Sequence, residues 1–303
     1  MPASALDKPF GRRGRLLRTA ADAVPPPGLV LLAIFSVQLG AGLAKELFTA
    51  LPPSAVVFLR IAMGALVMGV FARPALRGLA RRDWAVVLGF GVTLALMNLT
   101  FYEAIARLPL GIAVAIEFLG PLGVAVAASR RRLDLLWVAL AGAGVLLLAP
   151  WGQPGSVSWA GIGFALLAGA FWAAYILLSA AAGSRFPGAT GLSLAMIVSL
   201  VVIAPVGVTT GGAGLLQPEL LLIGLGVGLL SSAIPYSLEL QALRRMPKRM
   251  FGILMSLEPA MAALIGVLVL KEMLRLEQWA AIVCIVAASL GSTRTGTRPQ
   301  LPV

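Results

Sequence analysis

Ten apolar blocks fill almost the whole of this 303-residue chain, and its positive charges gather in alternate gaps between them. A run of about 20 apolar residues is long enough to cross a hydrocarbon core of roughly 30 Å. The blocks lie near 28–47, 53–72, 84–104, 109–128, 134–150, 159–181, 189–208, 218–240, 250–270 and 276–292. In lipid every backbone N–H and C=O must be satisfied within the protein, so such runs must be helical. The expected fold is an all-α polytopic membrane protein with ten transmembrane helices.

The basic residues set the expected orientation. The N-terminal tail holds five (Lys8, Arg12, Arg13, Arg15, Arg18) and the stretch 73–83 holds four (Arg73, Arg77, Arg81, Arg82). Arg130, Arg131 and Arg132 follow, then Arg185 alone, then Arg244, Arg245, Lys248 and Arg249, and finally Arg294 and Arg298. These nineteen face four in the opposite gaps: Lys45, Arg107, Lys271 and Arg275; Arg60 lies inside a block. The positive-inside rule then places both termini in the cytoplasm, with a multi-pass chain in the cell inner (plasma) membrane. Hydrophobic residues make up 59% of the chain and mean hydropathy is +0.96, too apolar for a soluble domain of this length. Topology therefore explains the net charge of +12, and nucleic acid is not an expected partner. The single cysteine, Cys284, cannot close an internal disulfide and reads as packing. The basic tail runs into a full-length span with no small-residue cleavage site, so a cleaved signal peptide is not expected.

The chain also repeats itself. NLTFYEAIARLP, Asn98 to Pro109, corresponds to YSLELQALRRMP, Tyr236 to Pro247, at an offset of 138. The same offset carries Pro121 onto Pro259, and Trp137 and Trp279 each open a small-residue span. The expected organisation is a basic tail over 1–27, a five-span repeat over 28–150, a linker over 151–158, a second repeat over 159–292 and a tail over 293–303. PWGQPGSVS, Pro150 to Ser158, has the turn composition of a linker. An odd number of spans per repeat makes the halves cross in opposite directions, the plan of many secondary transporters. Gly64 and Gly69 on one span, and Gly224, Gly226 and Gly228 on another, suit close helix packing; GLGVG follows no strand and is not a nucleotide loop. Pro121, Pro205, Pro235 and Pro259 fall within spans and are expected to kink or break them.

Charge inside a bilayer is costly, so it marks function or strong pairing. Glu117 and Glu258 lie about eight residues into the fourth and ninth spans, and Arg60 about eight into the second. Glu103 and Glu239 stand nearer span ends, where a side chain can snorkel to the interface. Arg60 can equally serve as a static counter-ion. The nearby polar and aromatic residues are Gln38, Asn98, Tyr102, Trp172, Tyr175, Ser231, Ser232, Tyr236, Ser237 and Gln241. With no histidine in the chain and no aspartate inside a span beyond its first residue, a glutamate must carry any coupled proton. The absence of histidine also excludes H-E-x-x-H zinc chemistry and a Ser-His triad, and no Walker lysine loop is present. No enzyme, metal or cofactor is expected; a secondary transporter is.

The architecture resembles the drug/metabolite transporter superfamily with tandem EamA-type domains. The resemblance covers nearly the whole chain. It is sharpest in SSAIPYSLELQALRRMPKRMFGILMSLEPAMAALIG, Ser231 to Gly266, which is similar to the signature region of bacterial threonine and homoserine exporters. PLGIAVAIEFLGPLGVAV (Pro109 to Val126), AASLGST (Ala287 to Thr293) and SVQLGAGLAKELF (Ser36 to Phe48) fit the same group. LKEMLRL, Leu270 to Leu276, departs from it, with Lys271 where Gly usually precedes the glutamate.

The resemblance implies two inverted five-helix EamA repeats that export small amino acids by proton antiport through an alternating-access cavity. The partners are then a small amino acid, protons and the bilayer, with the chain acting as monomer or homodimer. The expected substrate and proton site comprises Glu117, Glu258, Arg60, Asn98, Gln38, Tyr102, Tyr175, Trp172, Ser232, Tyr236 and Glu239, with hinges at Pro121 and Pro259. Arg60, Asn98 or a half-helix N-terminus would take the substrate carboxylate, and Glu117 or Glu258 its ammonium. A multidrug or cationic-metabolite exporter would need a wide aromatic cage, and only 7% of residues are aromatic. A non-transporting membrane scaffold is the reading from another class.

Overall fold

The computed structural model describes residues 24–72, 80–127, 133–148, 158–186, 190–246 and 248–295. Much of the cationic tail, Arg73, Arg77, Arg130 to Arg132, the linker core and the C-terminal end lie outside the described residues, as does the side chain of Tyr236. The described residues form helices α1 (Pro26–Glu46), α2 (Pro53–Ala72), α3 (Arg81–Ile105), α4 (Leu110–Glu117), α5 (Leu119–Ala127), α6 (Leu133–Leu148) and α7 (Trp159–Arg185). They continue with α8 (Thr190–Gly211), α9 (Pro218–Gly228), α10 (Ile234–Arg245), α11 (Lys248–Met255), α12 (Glu258–Leu268) and α13 (Leu276–Thr295), and no strand occurs among them. Seven stretches are helical, long and apolar enough to cross a membrane: Pro26–Thr49, Pro53–Val70, Arg81–Ile105, Trp159–Arg185, Thr190–Leu216, Pro218–Glu239 and Met250–Leu268. Three shorter apolar helices, Leu110–Val124, Leu135–Leu147 and Leu276–Gly291, occupy the fourth, fifth and tenth sequence blocks.

Three breaks interrupt the helical runs, each beside a proline. α4 ends at Glu117, and α5 begins two residues before Pro121. A π turn over Leu229–Ala233 separates α9 from α10, immediately before Pro235. α11 and α12 part at Ser256–Leu257, and Pro259 sits in the first turn of α12. Proline has no N–H for the carbonyl four residues back, and its ring crowds that carbonyl, so the ladder opens there. Pro205, in contrast, stays inside a continuous α8.

The chain alternates between two ends of the bundle. At one end meet the loops 47–52, 106–109, 212–217 and 269–275. The other holds the starts of α1 and α3 and the end of α7. α3 packs on α7 and α8, α2 on α8 and α9, α1 on α10 and α12, α4 on α7 and α12, and α6 on α13. Glycines set the closest crossings. A Cβ on Gly111 would stand 2.6 Å from Ala263 Cα, and one on Gly169 would stand 2.7 Å from the Glu117 carbonyl oxygen. Gly120 meets the Gly169 carbonyl more tightly still. Gly224 and Gly228 seat α9 on Leu59 and Met63 of α2, whereas Gly226 and Gly69 have open space beside them.

Burial differs between the ends. Leu47, Leu51, Ala55, Ile105, Leu108, Leu110, Ile162, Leu215 and Ile265 belong to one continuous core at the first end. At the other, Val87, Phe90, Phe186 and Leu194 form one cluster, and Leu29, Ile34, Ala242 and Met246 form another. A three-way polar clasp reinforces the first end. Lys45 Nζ donates to Glu272 Oε1 at 2.5 Å and to the Leu108 carbonyl at 2.6 Å, while Glu272 Oε2 accepts the Leu110 N–H at 2.8 Å. Glu272 reaches this position because Lys271 turns the chain with φ of 58°, the left-handed conformation that glycine adopts most readily.

Candidate functional site

Two half-helices bring the buried carboxyls together. α4 runs from the clasp end inward and stops at Glu117; α12 starts at Glu258 and runs back to the clasp end. The helices are antiparallel, in contact through Gly111 and Ala263, so both glutamates fall at the inner end of the pair. Glu117 is 8% exposed and Glu258 7%. Helix ends carry opposite partial charges, so a carboxyl at the C-terminus of α4 and one at the N-terminus of α12 are electrostatically inequivalent. The charges of Glu258 and Arg60 both reach Glu117, and that of Glu239 reaches Glu258.

α1 supplies the next contact. Gln38 and Gly42 share one face of this helix, and Ser36 and Gly40 share another, by the four-residue spacing. On the first face Gln38 Nε2 donates to Glu258 Oε1 at 3.1 Å, and Gly42 lies against Ile265 of α12. On the second, Ser36 Oγ donates to the Leu230 carbonyl at 2.7 Å, and Gly40 packs on Ser231. α1 is thereby wedged between α12 and the π turn.

The π turn presents backbone carbonyls to side chains. The Ile234 N–H reaches back to the Leu229 carbonyl, so the Leu230 carbonyl loses its ordinary donor and takes Ser36 instead. Pro235 has no N–H to offer Ser231, and Arg60 Nη2 donates to that carbonyl at 3.4 Å. Arg60 Nη1 donates to the Tyr102 hydroxyl at 3.4 Å, and the guanidinium carbon lies 5.4 Å from the Tyr102 ring centroid. Arg60 is thus held between α2, α3 and the π turn by two long hydrogen bonds.

The chain has relatives among known proteins. Residues 159–294 match the EamA-like transporter family. The chain is 44% identical over 275 residues to the threonine/homoserine exporter RhtA of Salmonella typhimurium LT2, covering 90% of this chain and 93% of that one. Its identity to the Escherichia coli K12 protein of the same name is 44% over 271 residues, with 89% and 92% covered. The chain belongs to the EamA-like transporter family. That family lies in the drug/metabolite transporter superfamily. An uncharacterized Bacillus subtilis transporter, YwfM, is 28% identical over 224 residues, covering 71% of this chain and 75% of its own. A solved crystal structure shares the fold at a TM-score of 0.57 and 17% identity, over 88% of this chain and 96% of the other.

Within this EamA-like transporter the sequence-nominated residues divide into groups. Gln38, Arg60, Tyr102, Glu117, Glu239 and Glu258 are linked by hydrogen bonds or by mutual charge. Ser232 is buried in the π turn against Gly64 of α2. Asn98 is buried, and its amide donates back to the Leu94 carbonyl of its own helix at 2.8 Å. Trp172 packs edge-on against Phe118, in the α4–α5 break, with centroids 5.3 Å apart; Tyr175 packs on Phe90 at 5.2 Å. Glu103 pairs with Arg107 one helical turn on, at 2.5 Å, near the end of α3. Ser36 and the carbonyls of Leu230 and Ser231 were absent from the sequence nominations. Their only sequence signal was SSAIP, in which the proline sits four residues after Ser231.

Proposed function

We propose that this transporter exports small hydroxylated amino acids, threonine and homoserine among them, across the inner membrane in exchange for protons. The observation that carries the reading is a buried carboxyl pair at the abutting ends of two half-helices, with a fixed arginine in electrostatic reach. The identity to exporters named for threonine and homoserine supports the substrate class. A zwitterion needs one cationic and one anionic contact. Arg60 uses two long bonds of a guanidinium that has five N–H donors, so it retains donors for a carboxylate. A glutamate takes the ammonium. Protonation of that glutamate from outside removes its charge and releases the substrate, and loss of the proton inward resets the site. The aromatic side chains pack on one another rather than into a cage, which favours a small polar substrate over a lipophilic cation.

Alternating access follows from ten spans in two inverted repeats. The pairing of helices supports that plan, because exchanging the halves maps observed contacts onto observed contacts. α3 on α7 corresponds to α10 on α1, α3 on α8 to α9 on α2, and α4 on α7 to α11 on α1. With both termini cytoplasmic by charge distribution, the clasp closes the outer end, and the divided core lies on the cytoplasmic side. The test is counterflow of a labelled amino-acid panel in proteoliposomes. Threonine and homoserine should exchange, and Glu258→Gln should abolish proton-driven flux while the protein remains folded. Competition by lipophilic cations in place of amino acids would refute the substrate class; no flux at all would indicate a scaffold.

A further inference from the structure

Two buried oxygens at the centre of the site have no donor among the described residues. Glu258 Oε1 takes the Gln38 amide, but Glu258 Oε2 and Gln38 Oε1 are both sealed from solvent and unpartnered. Gln38 is 2% exposed. Each unpartnered oxygen shares a carbon with an atom of the Gln38–Glu258 hydrogen bond, so the two belong to one connected unit. Buried acceptors left empty are costly, and a carboxylate oxygen most of all. The neighbouring charges that reach Glu258 are other carboxyls, Glu239 and Glu117. Arg60 is engaged elsewhere, with the Tyr102 hydroxyl and the Ser231 carbonyl. What this unit lacks is a positively charged group carrying at least two N–H donors.

We infer that Gln38 and Glu258 together seat the primary ammonium of the substrate, with Gln38 as the residue that selects for its number of N–H groups. The inference rests on the amino-acid reading above and deepens it. One ammonium N–H donates to Glu258 Oε2 and a second to Gln38 Oε1. The Gln38 N–H meanwhile fixes the carboxylate by its other oxygen. Gly42, against Ile265, sets the approach of α1 to α12 that makes this two-point seat possible. A primary ammonium donates to both oxygens and supplies the positive charge that the carboxylate lacks.

The experiment uses the full chain in proteoliposomes, with counterflow of labelled threonine challenged by threonine, N-methylthreonine and N,N-dimethylthreonine. The first retains three N–H donors in its ammonium form, the second two and the third one. In the unmodified protein N-methylthreonine should compete within a few-fold of threonine, and the dimethyl compound about ten-fold or more weaker than the monomethyl one. Gln38→Met keeps the side-chain length and removes the second acceptor. It should raise the threonine KM about ten-fold, lower kcat less, and abolish the step between monomethyl and dimethyl compounds. Comparing that step between the two proteins cancels the bulk of the added methyl group. The same step in Gln38→Met as in the unmodified protein would overturn the inference. If the variant does not insert, equal competition by both methylated compounds in the unmodified protein overturns it without any substitution. No threonine counterflow in the unmodified protein refutes the amino-acid reading itself, and the ammonium seat with it.

Discussion

Replacing Lys45 with Met should unlock the end of the bundle where the largest core lies. Lys45 is the shared donor of the clasp. Its removal leaves Glu272 with one backbone N–H and deprives the Leu108 carbonyl of its side-chain donor. Breaking one partner of a fully buried pair costs about 3–5 kcal/mol. The side chains of Lys45 and Glu272 are 22% and 14% exposed, so solvent screening reduces the expected loss to about 2–3 kcal/mol. That loss raises the population open at this end by about 30- to 150-fold. The assay is maleimide labelling in a Cys284→Ser background with Ala44→Cys, a position that is fully buried one residue from Lys45. When closing outpaces labelling, the labelling rate tracks the open population. The charge-swapped double variant, Lys45→Glu with Glu272→Lys, should not restore protection. A lysine at 272 cannot accept the Leu110 N–H, and a glutamate at 45 cannot donate to the Leu108 carbonyl. Equal labelling in Lys45→Met and the parent would refute the reasoning, and full rescue by the swap would reduce the clasp to a simple ion pair.

Gly120→Ala places a methyl group against the Gly169 carbonyl, and such overpacking costs about 1–3 kcal/mol; thermal unfolding in detergent should show it, while Gly123→Ala, with open space, should be neutral or slightly stabilising. Pro235→Ala returns an N–H able to bond the Ser231 carbonyl in competition with Arg60. A weaker hold on Arg60 should raise the threonine KM several-fold with unchanged expression, and an unaltered KM would count against an anchored arginine. Pro259→Ala supplies an N–H that can join α11 to α12 across Ser256–Leu257. It should slow turnover more than it weakens binding, as read by kcat against KM in counterflow.

The apolar lengths and the helix-breaking prolines were legible in the sequence, because each acts through local physics. Span-length runs force helices, and Pro121, Pro235 and Pro259 remove N–H groups wherever they stand. Glu117, Glu258 and Arg60 were legible through their cost in lipid. The partners were not. Gln38 and Glu258 are 220 residues apart, and their bond depends on how α1 faces α12. The clasp was hidden for the same reason: Lys45 and Glu272 are 227 residues apart. Lys271 registered only as a departure in composition, whereas its consequence is a left-handed turn that aims Glu272 at the α4 N-terminus. Asn98, a buried amide in a span, commits one of its two N–H donors to the Leu94 carbonyl of its own helix, a bond that follows from the four-residue spacing.

Under the proposed two-repeat plan the two glutamates are not copies of one another, and this bears on how a repeated frame can carry a single site. Under the 138-residue offset Glu117 corresponds to Met255 and Glu258 to Gly120. Gly120 is pressed against the Gly169 carbonyl, so no carboxyl side chain fits at the first-half counterpart of Glu258. Met255, partly buried, packs in a cluster with Leu29 and Ile34, an apolar environment for the counterpart of Glu117. Each half therefore contributes one acid at a different step of the same broken span. One acid closes the C-terminus of α4 and the other opens the N-terminus of α12. Helix-end charge treats these two positions oppositely, so a related backbone in each half yields two carboxyls of different character side by side. Under the proposed exchange, a site that must tell a proton from an ammonium needs that difference, and a strictly duplicated pair would lack it.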